Sequence, residues 1–132
     1  MKRTEAREQA FILIFEKQIS GNSIEDIVAD AEVCRDFSED KDGYILKVFK
    51  GVYENLEAID DLISSNLSGW IIDRISRVSL AVLRLAVFEI KYFDEIPVSV
   101  SIDEAVELCK KYSVLEDASF VNGVLGTIAK GL

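Results

Sequence analysis

The segment from Trp70 to Ile90 constrains the fold more than any other part of the sequence, because it is apolar on nearly every helical face. A helix that is hydrophobic all round belongs at the centre of a helix bundle. The segment nevertheless carries four charged residues, Arg74, Arg77, Arg84 and Glu89. Because charged side chains are rarely buried unless they are paired, we expect a core helix whose charges either form internal ion pairs or border a partner-binding surface.

Helical spacing of apolar residues recurs along the chain, whereas the period-2 alternation of strands never persists. At 132 residues the chain fits one domain that is long enough to bury a core. The sequence predicts a single all-α domain, 1–132, with about seven helices in two packed helix groups, about 1–67 and about 68–132. The expected helices cover about 4–19, 23–35, 39–65, 76–93, 97 onwards and 117–130, with a short helical turn near 70–74.

Three local signals refine these helices. Ser23 is a good N-cap for the second helix. Pro97 suits the first position of the sixth helix, although Ser101 with Glu104 forms a rival capping box. Gly51, inside the third helix, indicates either close packing or a tolerated defect that costs about 1 kcal/mol relative to alanine.

The sequence lacks the residues that several classes of catalysis and metal binding require. The chain contains no histidine, which removes Ser–His and Cys–His nucleophile pairs and imidazole metal sites. No CxxC, Walker A or GxGxxG pattern occurs, and we expect neither a cofactor nor a metal. Cys34 and Cys109 are expected to be small buried hydrophobes. With no apolar run of roughly 20 residues and no signal-peptide pattern, we expect a cytoplasmic protein that does not bind a membrane.

The net charge of −9 is concentrated in one region rather than spread over the chain. Residues 22–61 hold twelve acidic but only four basic residues, and the rest of the chain is close to neutral. A locally basic face therefore remains available for phosphates. Its best candidate is the start of the first helix, where Arg3 and Arg7 share a face with Lys2 beside them. The alternative is that these side chains are solvated surface.

Phe120 falls off the apolar stripe of the last helix and shares its face with Gly123 and Thr127, with Asn122 and Gly126 nearby. An aromatic ring beside glycines can leave a flat platform on which a base stacks. The alternative is that Phe120 packs on a neighbouring helix and that the glycines permit close helix contact. Both readings stay open on the residues alone.

Five stretches of the sequence are more specific than helical periodicity. They are Ala6 to Glu8 ahead of Ala10, Arg74-Ile75 before Val78, residues 81–86 with Glu89, Ile96-Pro97 ahead of residues 102–108, and FVNGVL at 120–125. Together they resemble the NusB family of bacterial transcription antitermination factors. The resemblance implies an all-helical fold without catalysis. It also implies binding of single-stranded boxA-type RNA jointly with NusE, a small-subunit ribosomal protein, in an antitermination complex with RNA polymerase that acts notably in ribosomal RNA operons.

The resemblance also assigns roles to residues. Phe120 matches the RNA-contacting phenylalanine of the family, and Glu116 matches an acidic position next to it. Thr4 and Glu5 stand where relatives often have further arginines, which weakens the expected RNA contact. The expected RNA-binding residues are Lys2, Arg3, Arg7, Glu116, Phe120 and Asn122.

The partner side departs from the family pattern. The expected partner-binding residues are Trp70, Arg74, Arg77 and Ser79. Ser79 stands where relatives usually carry an acid that is followed by a base, so it lacks the charge that would pair with NusE. Leu80 beside it adds apolar surface that favours self-association, and a homodimer is left open.

Two other functions remain alternatives. The chain could be the RNA-binding module of an RNA cytosine methyltransferase, since such enzymes resemble the NusB family in their N-terminal part, but that function requires a catalytic domain that these 132 residues do not contain. It could also be a protein–protein adaptor with weakened RNA binding, which the sparse N-terminal arginines and the net charge of −9 favour.

Overall fold

Seven α-helices and one 3₁₀ helix make up the part of the chain described by the structure, a computed structural model that covers residues 1–69 and 71–132. No strand occurs in these ranges, and the all-α prediction is confirmed. Trp70 lies outside the described residues. The α-helices are α1 (Arg3–Ser20), α2 (Ile24–Cys34), α3 (Tyr44–Glu54), α4 (Leu56–Ser65), α5 (Arg77–Tyr92), α6 (Val98–Tyr112) and α7 (Leu115–Lys130), and the 3₁₀ helix is Ile72–Arg74.

Side-chain caps and one left-handed glycine set several helix ends. Ser23 accepts a hydrogen bond from the backbone N–H of Asp26 at 3.1 Å and begins α2 as predicted. Ser76 caps α5 in the same way through the N–H of Ser79. Gly21 ends α1 with a φ of 69°, a conformation that favours glycine.

The prediction of one long third helix over 39–65 is wrong in two places. The helix begins only at Tyr44, because Gly43 adopts a φ of 70° and residues before it form turns. It is then interrupted at Asn55, whose side-chain amide donates to the carbonyl of Gly51 at 2.8 Å. An asparagine amide that competes for a helix carbonyl favours a break, so α3 and α4 are separate helices.

Helix α6 begins at Val98, with Pro97 as its N-cap residue, so the start near Pro97 is confirmed and the rival start at Ser101 is not used. Ser101 lies inside the helix instead. It is 2% exposed, and its hydroxyl donates to Glu89 at 2.7 Å.

Helix α5 lies at the centre of the molecule, as its apolar sequence predicts. It packs against α1, α3, α4, α6 and α7. One contiguous apolar core includes residues from every α-helix, and the division into helix groups near residue 67 stays a prediction.

Gly51 is closely packed, since a methyl group built at this position would overlap the ring of Phe88. The close-packing alternative for Gly51 is therefore confirmed.

The charges of the core segment divide into two classes. Arg84 donates to both carboxylate oxygens of Asp60 at 3.0 and 2.9 Å, and Glu89 pairs with Arg7 at 2.6 Å. These ion pairs connect α5 to other helices. Arg74 and Arg77 are exposed. The expectation of ion pairs is thus met for two of the four charged residues.

The two cysteines also differ. Cys109 is buried as predicted, and burial raises the pKa of its thiol to about 12. Cys34, the last residue of α2, is exposed, so its predicted burial is wrong. None of the helices described combines the length and hydropathy that crossing a bilayer requires.

Candidate nucleic-acid interface

The start of α1 places two cations at the surface. Lys2 is exposed at the N-cap position, and the side chain of Arg3 is 38% exposed. The guanidinium of Arg3 donates to a carboxylate oxygen of Asp42 and lies 4.2 Å from the centre of the Tyr44 ring. The hydrogen bond from Arg3 lowers the pKa of Asp42. Arg3 is therefore accessible, but it already contacts an anionic group.

Arg7 is buried, whereas the sequence predicted an accessible cation. Its side chain is 2% exposed, and it pairs with Glu89 at 2.6 Å and with Glu104 at 3.1 Å. Burial opposes the charge of Arg7, but the hydrogen bond to Glu89 and the surrounding negative charges outweigh it and raise the pKa. Glu89 also accepts hydrogen bonds from Tyr44 and Ser101. Arg7 therefore connects α1 to α5 and α6 and is not open to a phosphate in this structure.

Phe120 is half-buried on α7, one helical turn after the exposed Glu116. It borders a pocket of about 350 Å³. The described residues that line this pocket are Arg74, Ile75, Ser76, Glu116, Asp117 and Phe120. The pocket places an aromatic ring, a guanidinium and a carboxylate within one concave surface. An unpaired base can stack on such a ring and hydrogen-bond to the flanking polar groups.

Asp117 fixes the geometry of this pocket. Its carboxylate accepts a hydrogen bond from the hydroxyl of Ser76 at 2.8 Å and another from Ser113. Since Ser76 also caps α5, the first turn of α7 is attached directly to the start of the central helix. The wall that carries Phe120 is thereby held at a fixed position relative to Arg74.

The glycines of α7 do not serve close helix packing. Among the described residues, a methyl group built at Gly123 or Gly126 would meet nothing within 4 Å. The alternative that these glycines permit close helix contact is therefore not met among the described helices. The described residues leave open surface at these glycines, whereas Phe120 itself packs against the apolar core, and its role as a stacking platform stays a prediction.

Asn122 projects from a different face of α7, because two residues along a helix correspond to about 200° of rotation. It lines a groove of about 530 Å³ between α6 and α7, together with Ser119 and Lys110 among others. Phe120 and Asn122 thus border separate concave surfaces of the same helix.

The structure does not bring the N-terminal cations into the pocket of Phe120. Arg3 lines a different cavity, of about 340 Å³, together with residues 39–42. Helix α6 packs on α7 and contacts α1 through Thr4, whose hydroxyl donates to Glu104 at 2.7 Å. Arg3 and Phe120 therefore border separate concave surfaces.

The contact between α1 and α6 includes a second polar cluster. Glu8 accepts hydrogen bonds from Lys111 at 2.5 Å and from Tyr112 at 2.6 Å. These bonds, the one from Lys111 first, lower the pKa of Glu8. Burial and the neighbouring Glu8 raise the pKa of Tyr112 to about 12. The cluster fixes the first half of α1 against the end of α6.

The residues predicted to bind a partner occupy different environments. Arg74 and Arg77 are exposed, and Ile71 beside them is 58% exposed. Ser79 is fully buried, and its hydroxyl has no hydrogen-bond partner among the described residues. Ser79 faces the core because the inward stripe of α5 includes it, so its side chain cannot contact a partner here. Trp70 lies outside the described ranges.

The prediction from the sequence did not assign two residues to the site. Arg74 was assigned to a partner surface, yet it shares the pocket with Phe120. Asp42 was one of many acidic residues, and nothing in its local sequence indicated that it contacts Arg3. Both contacts join residues that are far apart in the chain. In the part of the chain that the structure describes, no group of three metal-binding side chains is arranged to hold a metal ion.

Comparison with known proteins gives consistent matches over nearly the whole chain. The family model described as the NusB family matches residues 4–130. The transcription antitermination protein NusB of Acetivibrio thermocellus is 45% identical over 130 residues, which cover 98% of this chain and 90% of that protein. The structure is similar to T. maritima NusB, with a TM-score of 0.88, 37% identity, and coverage of 98% of this chain and 92% of that one. It is also similar to a chain of the crystal structure of antitermination factors NusB and NusE in complex with double-stranded RNA, with a TM-score of 0.83, 28% identity and full coverage of both chains.

Proposed function

The chain belongs to the NusB family, and from this premise we propose that it is a transcription antitermination factor that binds boxA-type single-stranded RNA together with ribosomal protein NusE. In this function the pair promotes read-through by RNA polymerase in ribosomal RNA operons, and the protein acts in the cytoplasm, where bacterial transcription takes place. The similar solved complex contains NusE and double-stranded RNA, and it supports NusE and RNA as partners, while the preference for single-stranded boxA-type RNA is part of the proposal.

The observation that carries the RNA-binding proposal is the pocket of Phe120. One unstacked base lies on the Phe120 ring, the guanidinium of Arg74 stacks on or donates to the same nucleotide, and the carboxylate of Glu116 accepts from an exocyclic amine. Base–aromatic stacking contributes about 1–3 kcal/mol per base. A base in a duplex is already stacked, so a pocket of this kind favours unpaired RNA.

The positive charges that hold the RNA backbone are few. Lys2 and Arg3 bind phosphates at the start of α1, and Asn122 adds a neutral contact from α7. Arg7 acts indirectly, by fixing α1 against α5 and α6. Because each phosphate contact adds about one unit to the salt dependence, we expect a shallow slope for this protein alone.

NusE supplies the remaining affinity in this proposal. We place its docking surface at Arg77 and at the segment around residue 70, where Ile71 exposes apolar surface. Arginine is enriched at interface hot spots. The buried Ser79 takes no part in this docking.

The test is a titration of labelled single-stranded boxA RNA, with and without NusE, followed by fluorescence anisotropy. We expect Phe120→Ala to weaken binding by about 1–3 kcal/mol and to leave the fold intact. Phe15→Ala is the matched control, because Phe15 is also a half-buried phenylalanine but lies on α1 away from the pocket. A duplex of the same sequence should bind more weakly. Equal losses in both variants would show that Phe120 matters only for stability.

A protein–protein adaptor is the second candidate function. It is favoured by the burial of Arg7 and by the contact of Arg3 with Asp42, which together leave little free positive charge at the start of α1. Absence of RNA binding at low salt, both with and without NusE, would support the adaptor. The methyltransferase-module alternative gains no support, since the A. thermocellus antitermination protein is matched over 90% of its length.

A further inference from the structure

The loop between α2 and α3 places the carboxylate of Asp42 in contact with Arg3, the cation on which the proposed phosphate binding most depends. Residues 36–42, which we call the acidic loop, contain four acidic residues and one lysine. Asp42 of this loop accepts a hydrogen bond from the guanidinium of Arg3. With Arg7 buried, Arg3 is the accessible arginine at the start of α1. The acidic loop therefore engages the same donor groups that a phosphate would use.

The position of Asp42 is built into the fold. Asp40, two residues earlier, accepts from the backbone N–H of Ile45 at 2.8 Å, which attaches the loop to the first turn of α3. The carbonyls of Phe37 and Asp40 accept the N–H groups of Asp40 and Gly43, both at 3.0 Å. Phe37 packs on the core at the other end of the loop. These contacts hold the carboxylate of Asp42 at the N-terminal end of α1 rather than leaving it free in solvent.

Tyr44 orients Arg3, the other member of the Arg3–Asp42 contact. Its ring lies 4.2 Å from the guanidinium carbon of Arg3, and its hydroxyl is held by Glu89 in the protein interior. A guanidinium stacked on a ring keeps its edge available for an anion. The edge of the Arg3 guanidinium is therefore oriented toward an anionic partner, and in the free protein Asp42 fills that place.

We propose that the acidic loop is an intramolecular competitor for phosphate groups at Arg3, with Asp42 as the competing group. This proposal rests on the proposed function, because that function supplies the ligand, an RNA phosphate. A carboxylate and a phosphate both accept hydrogen bonds from a guanidinium, so Arg3 has to exchange one for the other. RNA that makes contacts only at the start of α1 binds weakly, and RNA that is also held elsewhere on the protein displaces Asp42. The loop thus suppresses indiscriminate binding of polyanions.

The first test measures RNA affinity by anisotropy at low salt. The Arg3–Asp42 pair is exposed, and such pairs contribute little, so we expect Asp42→Asn to bind single-stranded boxA RNA about two- to fivefold more tightly. Asp30→Asn is the matched control, since Asp30 is exposed on α2 and its substitution changes the net charge equally. In an Arg3→Gln background the gain from Asp42→Asn should disappear. A gain no larger than that of Asp30→Asn, or one that persists in the Arg3→Gln background, would overturn the proposal.

The second test separates this proposal from the proposed function. Inorganic tripolyphosphate is titrated into the wild-type and Asp42→Asn proteins, and the amide NMR signals of residues 2–6 are followed. We expect half-saturation in Asp42→Asn at a concentration about two- to fivefold lower. If neither protein binds RNA but this shift occurs, the RNA function fails and the competition by Asp42 stands. If the tripolyphosphate titrations coincide, the competition is refuted whatever the RNA result.

Discussion

Arg7 and Glu89 form an ion pair inside the protein, with the Nε of Arg7 donating to the carboxylate of Glu89 at 2.6 Å and neither side chain more than 2% exposed. The pair joins the first helix to the central one across 82 residues of sequence. Removing one partner of a buried pair leaves an uncompensated charge, which costs far more than the pair contributes to stability. The arginine is thus needed for the fold before any RNA is considered.

We expect Arg7→Met to lower the free energy of unfolding by about 3–5 kcal/mol, because Glu89 is left charged and unpaired in the core. Urea denaturation followed by circular dichroism measures the change. Arg77→Met, at an exposed position, should stay within about 0.5 kcal/mol of wild type. A stable Arg7→Met protein with reduced RNA affinity would instead mean that Arg7 contacts RNA directly.

Gly51→Ala should destabilise the protein by about 1–3 kcal/mol, although alanine is the better helix former. The added methyl group would overlap the Phe88 ring, so one of the two has to move. Gly123→Ala is the matched control in another helix, where the methyl group meets none of the described residues and should stabilise the protein by up to about 1 kcal/mol. Thermal denaturation of both variants provides the comparison, and a gain in stability for Gly51→Ala would contradict the close packing.

Substitutions at Arg74 and at Arg77 should affect different partners, RNA in the first case and NusE in the second. Arg74 lines the pocket of Phe120, so Arg74→Gln should weaken RNA binding by the protein alone and reduce the salt slope by up to about one unit. Arg77→Gln should leave that affinity unchanged and reduce only the gain that NusE provides. Titrations with and without NusE give both quantities. If Arg74→Gln instead reduced only the gain from NusE, Arg74 would belong to the NusE docking surface.

The contact between α1 and α6 should weaken in acid. Because hydrogen bonds from Lys111 and Tyr112 lower the pKa of Glu8, its ionised form stabilises the fold above the ordinary pKa of 4.5, and this stabilisation is lost as the pH falls below that value. Glu8→Gln has already lost it, so its urea midpoint should fall less on acidification than that of wild type. Glu16→Gln, exposed on the same helix, should behave like wild type. Parallel pH profiles for all three proteins would argue against a role for Glu8.

The helices could be predicted from the sequence because they depend on local periodicity and caps. The centre of the bundle followed from a segment that is apolar all round, and the start of α2 followed from Ser23. The break at Asn55 was missed because an apolar stripe continues through it, while a single side-chain amide decides the backbone conformation.

The candidate site was less predictable, because its contacts join distant parts of the chain. The four-residue spacing of Arg3 and Arg7 shows that they share a side of α1, but not which elements cover that side. Glu89 and Glu104, which bury Arg7, lie on two other helices. Phe120 was identified by its position off the apolar stripe, whereas Arg74 reached the same pocket only through the packing of the segment before α5.

The hydroxyl of Ser76 serves two helices at once, as the cap of α5 and as a donor to Asp117 of α7. A ligand that pushed the ring of Phe120 outward would therefore pull on the capping serine of the most buried helix. The shape of the pocket of Phe120 is therefore tied to the start of the central helix rather than to a surface loop. We expect the pocket to select for a single flat nucleobase over a bulkier group, because enlarging it would disturb the cap of α5.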